Sequence, residues 1–374
     1  MADMAGKIPH IADTDRGLLH AGAAILGIAF LIKAAMWPLN SWLVPAYRAA
    51  SAPVAALFAI LTKVGIYAVL RLWTLFSAVQ PASASPLGGD ALVYAGFATL
   101  AVGAIGMLGA QQPRRLAAFA IVLSSGTLLA VTGFARASML GGALYYLVST
   151  TIAASALFLL AELIERVRDT GGTQALPYDD EHGDLTRYVD LRAAGSATPA
   201  ASPELDDPTP GLPIPGALAF LGLGFIACAL LIAGLPPLSG FLAKFAILDA
   251  LLHPSGRGAG AMPALPPAAW MLFVLLIGSS LLSMIALSRA GIRYFWTLRQ
   301  RAAPTLRAAE FAPVGLLLAG MVALCVGAGP VSRYTLAAAA SLLRPAAYID
   351  AVMSATPVPP PRPAPSISSL YGPR

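Results

Sequence analysis

The chain contains few charged residues for its length. Only 11% of its 374 residues are Asp, Glu, Lys or Arg, whereas 57% are hydrophobic and the mean hydropathy is +0.74. Soluble domains usually carry about 25% charged residues, so this composition excludes an ordinary soluble globular protein. We therefore predict an integral membrane protein that sits in a lipid bilayer.

Runs of like charge and clusters of cysteine are also lacking. The formal net charge of +6 comes from scattered basic residues that form no run and no aromatic-studded groove, so no nucleic-acid partner is predicted. The two cysteines, Cys228 and Cys325, lie in apolar runs, where a thiol behaves as a small hydrophobic side chain. The sequence therefore predicts no disulfide framework, no metal site and no cofactor.

Lysine is scarce, with four lysines against 20 arginines, and three of the four lie inside long apolar stretches: Lys33, Lys63 and Lys244. Arginine keeps its proton in proteins, whereas a lysine removed from water can lose it. An ionisable group at membrane depth costs at least about 2.5 kcal/mol and indicates a functional site. The three lysines therefore predict a proton relay. In the structural alternatives, Lys63 caps a backbone carbonyl or pairs with a structural acid. The side chains of Lys33 and Lys244 instead snorkel to the membrane interface.

Long apolar stretches dominate the chain, and a transmembrane helix needs about 20 such residues. We predict an all-α, polytopic membrane protein with about eight transmembrane helices, of which at least one is discontinuous. The predicted spans cover roughly residues 17–36, 53–72, 91–110, 116–134, 139–163, 216–251, 268–287 and 309–328.

The sixth stretch is too long for one straight helix. Its 36 residues would extend about 54 Å, against a hydrocarbon core of about 30 Å. Because Pro236 and Pro237 interrupt the backbone ladder in GLPPLSG, we predict one span of two half-helices with an unwound middle. Pro38, just after Lys33, predicts a similar break, although that segment also fits an interfacial loop. Such breaks often mark ion sites.

Two segments are expected to carry no chemistry. The transmembrane domain is assigned to residues 1–340, and within it residues 166–215 form a polar loop with several acidic residues. Residues 341–374 are predicted to be a flexible, proline-rich tail.

Hydroxyl groups are the other polar groups at membrane depth. Ser124 and Ser125 lie in the fourth span, and Ser149 and Thr150 in the fifth. They either support a water wire between the lysines or bond to backbone carbonyls, and both interpretations stay open. No Asp or Glu lies deep in a span. Each lysine must therefore titrate, meet water or find an acid on another polypeptide.

Three segments carry a family resemblance. Residues 30–72, FLIKAAMWPLNSWLVPAYRAASAPVAALFAILTKVGIYAVLRL, resemble the antiporter-like subunits of respiratory complex I and the Mrp-type cation/proton antiporters, because the lysine, the proline break, SAPVAALF and LTKVG recur in order. GLPPLSGFLAKF, residues 234–245, is similar to the second broken helix of that family. LYYLVSTTIAASALFLLAELIER, residues 144–166, is similar to the D-type subunit of the Mrp antiporters.

The resemblance implies a fold of fourteen spans in two inverted repeats, of which this chain carries the seventh to the fourteenth. It implies that Lys33, Lys63 and Lys244 are buried lysines of the proton path. The family's buried histidines have no counterpart here, which leaves more of the relay to water. The glutamate that pairs with the position of Lys33 belongs to the first six spans, so a missing N-terminal half or a companion chain is an expected partner.

The resemblance also implies a function. It is that of a proton-conducting membrane subunit in a multisubunit monovalent cation (Na+)/proton antiporter, a secondary transporter subunit rather than an enzyme. The implied partners are other subunits, protons and monovalent cations, and the implied location is the cell inner membrane, as a multi-pass protein. Two alternatives stay open. One is a proton-pumping subunit of complex I (NADH:quinone oxidoreductase) or of a membrane-bound hydrogenase, and the other is a non-transporting membrane scaffold.

Overall fold

A computed structural model describes residues 16–79, 89–170, 216–253, 265–296, 308–344, 350 and 354. These residues form helices and no strand, which confirms the all-α prediction. The helices are α1 (Arg16–Lys33), α2 (Leu43–Ala49), α3 (Ala52–Val79), α4 (Gly89–Gly109), α5 (Pro113–Gly133), α6 (Ala137–Thr170), α7 (Gly216–Ala233), α8 (Ser239–Leu252), α9 (Pro267–Gly291), α10 (Ala308–Val326) and α11 (Ala328–Leu342). A π-helical segment, Ile292–Trp296, continues α9.

Six helices are long and apolar enough to cross a membrane on their own: α3, α4, α5, α6, α7 and α9. They coincide with the second to fifth and the seventh predicted spans, and α7 covers the first half of the sixth. Their mean hydropathies of 1.9 to 2.4 reflect the long apolar runs from which the spans were predicted. The polytopic membrane fold is therefore confirmed.

The first and last predicted spans differ from the structure. The apolar part of α1, Ala21–Lys33, is shorter than a complete span because the helix ends at Lys33. At the other end the chain continues past the predicted limit, since α11 follows α10 after a single residue at an angle of 82°. Within the described residues, length and composition thus give six spans, or seven if the bent pair α10–α11 counts as one, where about eight were predicted for the chain.

The break that was predicted within residues 216–251 is present. α7 ends at Ala233 and α8 begins at Ser239, and Pro236 and Pro237 lie in the connection. With 18 residues, α7 is long enough to cross a membrane by itself, and α8 adds a helix of 14 residues after the break.

Helix α6 lies at the centre of the bundle, where it packs against α3, α5, α7, α8, α10 and α11. Helix α5 is the most enclosed span, with 89% of its apolar window buried. It approaches α4 closely because Gly96, Gly103 and Gly126 lie at their contact, where an added Cβ would collide with the opposite backbone. Ser124 and Ser125 of α5, and Ser149 and Thr150 of α6, are buried inside the protein.

The two segments predicted to carry no chemistry fall largely outside the described residues. These are residues 171–215 of the polar loop and, except for residues 350 and 354, the tail beyond residue 344. Helix α11 ends at Leu342, and the domain boundary at residue 340 stays a prediction.

Candidate functional site

Lys63 lies in the middle of α3, and its residue surface is only 2% exposed. Its ammonium group donates a hydrogen bond to the hydroxyl of Ser124 on α5. That hydroxyl in turn donates to the carbonyl oxygen of Ile121 at 2.9 Å. A protonated lysine has three N–H donors, and within the described part of the chain only this one bond is recorded for Lys63. Two donors are thus left for water or for another group.

An open cavity adjoins Lys63. The residue lines this cavity of about 580 Å³ between α3, α6 and α11. Its walls are mainly apolar, and they also include the hydroxyl-bearing residues Thr151 and Thr335. Because α6 borders this cavity and also packs against α8, it connects the surroundings of Lys63 with the helix that carries Lys244.

Lys244 is also buried, at 4% exposure. Its Nζ donates to the carbonyl oxygens of Ile232 at 3.2 Å and Ala233 at 3.0 Å, and to the hydroxyl of Ser280 at 2.8 Å. The last carbonyls of a helix have no partner within it. Lys244 therefore reaches back across the break and caps α7, and it does not snorkel to the interface.

Gly234 makes this capping possible. Its φ of +75° lies in the left-handed region, and an added Cβ would lie 2.7 Å from Cδ of Lys244. The N–H of Gly234 bonds to the carbonyl of Leu231 at 3.1 Å, and that of Leu235 to the carbonyl of Leu230 at 2.9 Å. This pattern is the Schellman C-cap, which ends a helix at a left-handed residue.

Helix α1 ends in the same way. Ala35 has a φ of 57°, its N–H bonds to the carbonyl of Ile32 at 3.0 Å, and the N–H of Met36 bonds to the carbonyl of Leu31 at 3.1 Å. Pro38 follows in the connection to α2. The breaks after α1 and α7 are thus equivalent in backbone geometry, but Lys33 precedes its break whereas Lys244 follows its own.

Lys33 is exposed among the described residues, so the structure does not place it with the two buried lysines, and its part in the relay stays a prediction. As the last residue of α1 it has an exposed side chain, and no hydrogen bond or ion pair joins it to another described residue. Its Cγ packs against α3 at Gly65, where an added Cβ would lie 2.8 Å away. The rest of the side chain projects from a face that includes exposed Ile25 and Ile32. Hydropathy identifies an apolar segment but not what covers it.

The four predicted hydroxyl groups are all buried, but their contacts differ. Ser124 bonds to Lys63, whereas the hydroxyl of Thr150 donates to the carbonyl of Tyr146 in its own helix at 2.8 Å. The hydroxyls of Ser125 and Ser149 have no partner among the described residues. Unpaired buried hydroxyls are costly and are typical of positions that hold ordered water. Thr150 thus bonds to the backbone, whereas a water wire through Ser125 and Ser149 stays a prediction.

Three further polar residues belong to the site, and the sequence analysis missed them. The hydroxyls of Tyr146 and Ser239 are buried and unpaired, and that of Tyr146 faces Thr127 without a well-formed hydrogen bond. Ser280 contacts Lys244 from α9. Tyr146 was recognisable as a polar group inside a predicted span. The role of Ser280 depends on the contact between α8 and α9, which no local pattern reveals.

Carboxylates in the described part of the chain lie near helix ends, and none bonds to Lys63 or Lys244. The described ion pairs are Arg114–Glu165 at 2.7 Å, Arg166–Glu162 at 3.3 Å, Arg166–Glu310, and His253–Asp249 at 3.2 Å. The two buried lysines therefore rely on hydroxyl and carbonyl oxygens, which agrees with the absence of acids deep in the predicted spans.

The described helices thus form a membrane bundle in which two buried lysines face hydroxyls and broken-helix carbonyls. The sequence profile described as "NADH:quinone oxidoreductase/Mrp antiporter, TM" matches residues 8–178. The chain is 44% identical to the D-type subunit of a probable K(+)/H(+) antiporter of Rhizobium meliloti, over 95% of its own length and 62% of that protein. It is 29% identical to the D-type subunit of the Na(+)/H(+) antiporter of Alkalihalophilus pseudofirmus, over 94% and 62%.

A solved structure shares the fold. The Mrp complex from Dietzia sp. DQ12-45-1b contains a chain that superimposes with a TM-score of 0.63 at 23% identity, covering 89% of this chain and 61% of that one. Residues 8–178 thus match the profile that Mrp antiporters and NADH:quinone oxidoreductases share, and the two curated relatives are similar to nearly the whole chain. The chain spans about 62% of the length of the two curated relatives.

Proposed function

We propose that this chain is a proton-conducting membrane subunit of a multisubunit monovalent cation/proton antiporter, and that Lys63 and Lys244 carry the proton. The observation that carries the proposal is the burial of both lysines in membrane helices without a carboxylate partner in the described residues. Two permanently charged groups in such surroundings would be costly. A lysine that alternates between its charged and neutral forms avoids that cost for part of the cycle.

The surroundings of Lys63 and Lys244 differ, which supports different roles for the two lysines in proton transfer. Lys63 has one recorded partner and an adjacent cavity, so its ammonium can exchange protons with water. Lys244 is held by three oxygens at a helix break. Ser125, Tyr146 and Ser149 offer unpaired hydroxyls on α5, which packs against α3, and on α6, which packs against both α3 and α8. Protons thus pass from one lysine to the other through hydroxyl-bound water.

Lys33 takes part in the proton relay only when further membrane helices cover its side chain. Its exposed ammonium stands on an apolar face of α1, and the curated relatives are longer than this chain. We propose that further membrane helices, from a missing N-terminal half or a companion chain, bury this face and supply an acid opposite Lys33. These 374 residues alone, purified into liposomes, are then expected to exchange no cations.

The proposal covers the ion and the location. The two curated relatives carry different cations in their names, potassium at 44% identity and sodium at 29%. Potassium is therefore expected to support exchange at least as well as sodium. The chain acts as a transporter subunit rather than an enzyme, and it lies in the cell inner membrane with the arginine-rich helix ends on the cytoplasmic side.

A second function is supported by the family profile, which also includes NADH:quinone oxidoreductases. In that case the same lysines would serve a redox-driven pump. The subunits that co-purify with this chain separate the two functions, because small antiporter subunits fit the first and quinone- or iron–sulfur-binding subunits fit the second. A non-transporting scaffold would tolerate the loss of both lysines.

The test uses the complete assembly isolated with this chain and reconstituted into vesicles that contain a pH-sensitive dye. Lys63→Ala and Lys244→Ala should each abolish exchange on addition of potassium or sodium, while native gels show intact assembly. Arg115→Ala is the matched control, since its guanidinium lies over Phe119 at a helix end, 5.8 Å from the ring centroid. Normal exchange by both lysine variants would refute the relay.

A further inference from the structure

The hydrogen bonds of Lys244 match one protonation state. An ammonium group has three N–H donors and no acceptor, and Lys244 has three acceptors, namely Ile232 O, Ala233 O and Ser280 Oγ. The hydroxyl hydrogen of Ser280 is engaged elsewhere, because it donates to the carbonyl of Leu276 at 2.9 Å. Ser280 therefore offers Lys244 a lone pair, and every donor of the ammonium group is satisfied.

A neutral amine does not fit the same three oxygens. It has two N–H donors and one lone pair, so the third oxygen would face that lone pair in a buried site. Loss of the proton must therefore move at least one of the oxygens away from Nζ. The arrangement distinguishes Lys244 from Lys63, whose single recorded partner suits either protonation state.

The oxygens differ in their freedom to move. Ser280 is fixed on α9 by continuous helix and by its own bond to Leu276. Ile232 and Ala233 are the last two residues of α7, directly before Gly234 and the break. The break is the part that yields, because a chain segment without a helical ladder resists displacement less than a packed helix.

We propose that Ser280 is a positioning residue that holds the protonated Lys244 against the end of α7, and that loss of the proton from Lys244 loosens the α7–α8 break. This inference rests on the proposed proton relay and adds a mechanical consequence to it. The break would close around the charged lysine and open when the lysine becomes neutral. Proton transfer at Lys244 would thereby change water access at Gly234 to Leu238.

Other titratable groups near α8 must be separated from Lys244. None of those described is within hydrogen-bonding distance of it. On α8 and the helices packed against it they are Asp249, His253, Tyr145, Tyr146, Glu162, Glu165, Arg166, Cys228, Arg289, Glu310 and Cys325. His253 is the histidine among these groups, and its Nδ1 lies 3.2 Å from Oδ1 of Asp249. The experiment therefore includes His253→Asn as a background.

A native thiol reports on the break. Cys325 on α10 donates to the carbonyl oxygen of Pro237 inside the break, whereas Cys228 is fully buried. Opening of the break frees the thiol of Cys325, so its rate of alkylation follows the state of the break. Cys325 is followed by mass spectrometry of its peptide in the complete assembly, with Cys228 replaced by alanine.

The experiment measures alkylation of Cys325 against pH, corrected with a model thiol for thiol ionisation. The corrected rate should rise at least about threefold as pH increases, also in the His253→Asn background, and should lose its pH dependence in Lys244→Met. Ser280→Ala should move the transition to lower pH by about one unit, since one acceptor for the ammonium is lost. Ser280→Thr keeps the hydroxyl, so its alkylation rate should change at the same pH as in the native sequence.

Ser283→Ala is the matched control, because Ser283 lies on the same helix and bonds to the carbonyl of Ser280 without touching Lys244. Equal transitions in Ser280→Ala and Ser283→Ala, or a corrected rate independent of pH in the native sequence, would overturn the inference. Exchange is measured on the same samples. If Lys63→Ala and Lys244→Ala exchange cations normally while the alkylation rate of Cys325 still changes with pH, the proton relay is refuted and the coupling between Lys244 and the break is supported. If these variants lose exchange but the alkylation rate does not change with pH, the relay is supported and the coupling is refuted.

Discussion

Gly234→Ala tests the capping of α7 by Lys244 at its tightest point. Alanine in the left-handed region costs about 1–2 kcal/mol. The larger effect is steric, since the new Cβ would lie 2.7 Å from Cδ and 3.0 Å from Nζ of Lys244, against an optimal separation of about 3.5–4.0 Å. Lys244 must therefore move by about 1 Å, and its bonds to Ile232 and Ala233 stretch beyond hydrogen-bonding distance.

Gly234→Ala is expected to lower the rate of cation exchange strongly. A hydrogen bond to a charged group contributes about 1.5–3 kcal/mol, so the loss of one bond lowers the population of the capped geometry at least about tenfold. We expect exchange by the Gly234→Ala assembly to fall by at least that factor. Gly278→Ala is the matched control, because an added Cβ there meets nothing within 4 Å. The assay is cation-dependent dye response in vesicles, together with the apparent Tm in detergent.

A double-mutant cycle separates the backbone cost of Gly234→Ala from its steric conflict with Lys244. In a Lys244→Ala background the steric conflict disappears, so Gly234→Ala should cost only the backbone term of about 1–2 kcal/mol. Ala35 already occupies the equivalent left-handed position after α1, which indicates that the backbone term alone is tolerated. Normal exchange by Gly234→Ala, or the same destabilisation with and without Lys244, would refute the reasoning.

Three further predictions concern neighbouring groups. Ser124→Ala removes the recorded partner of Lys63 and should slow exchange about tenfold, whereas Ser155→Ala, which loses a bond to the carbonyl of Ala56 at 3.0 Å, should not. Replacing Pro236 and Pro237 together by alanine should extend the helical ladder through the break and slow exchange without lowering the apparent Tm, and unchanged exchange would contradict this. Glu162→Gln weakens an acceptor for the backbone N–H of Ala52 and an ion pair with Arg166, so the apparent Tm should fall by the equivalent of about 1 kcal/mol while exchange per assembled complex stays constant.

The sequence predicted those features that depend on local chemistry. Long apolar runs predicted the membrane helices, and adjacent prolines predicted the break after α7, because both follow from the hydrogen-bonding demands of the backbone in lipid. The burial of Lys63 followed from its place in the middle of a complete span. These properties are determined within about 20 residues of chain.

Features that depend on neighbouring helices were not predictable in the same way. Lys33 and Lys63 both lie in apolar sequence, yet only Lys63 has α5 packed over it. Ser280 acquires its role because α9 lies against α8, and the bend of 82° after α10 places α11 along the Lys63 cavity. Such contacts join residues far apart in the chain, and a single sequence does not specify them.

The relay requires above all that Lys63 release its proton during transport, and Lys63→Arg isolates that requirement. Arginine keeps a positive charge and hydrogen-bond donors at this position, but it does not lose its proton in proteins. In the reconstituted assembly, with intact subunit composition on native gels, we predict no cation-dependent exchange above that of Lys63→Ala. Exchange by Lys63→Arg at the rate of the native sequence would contradict the relay.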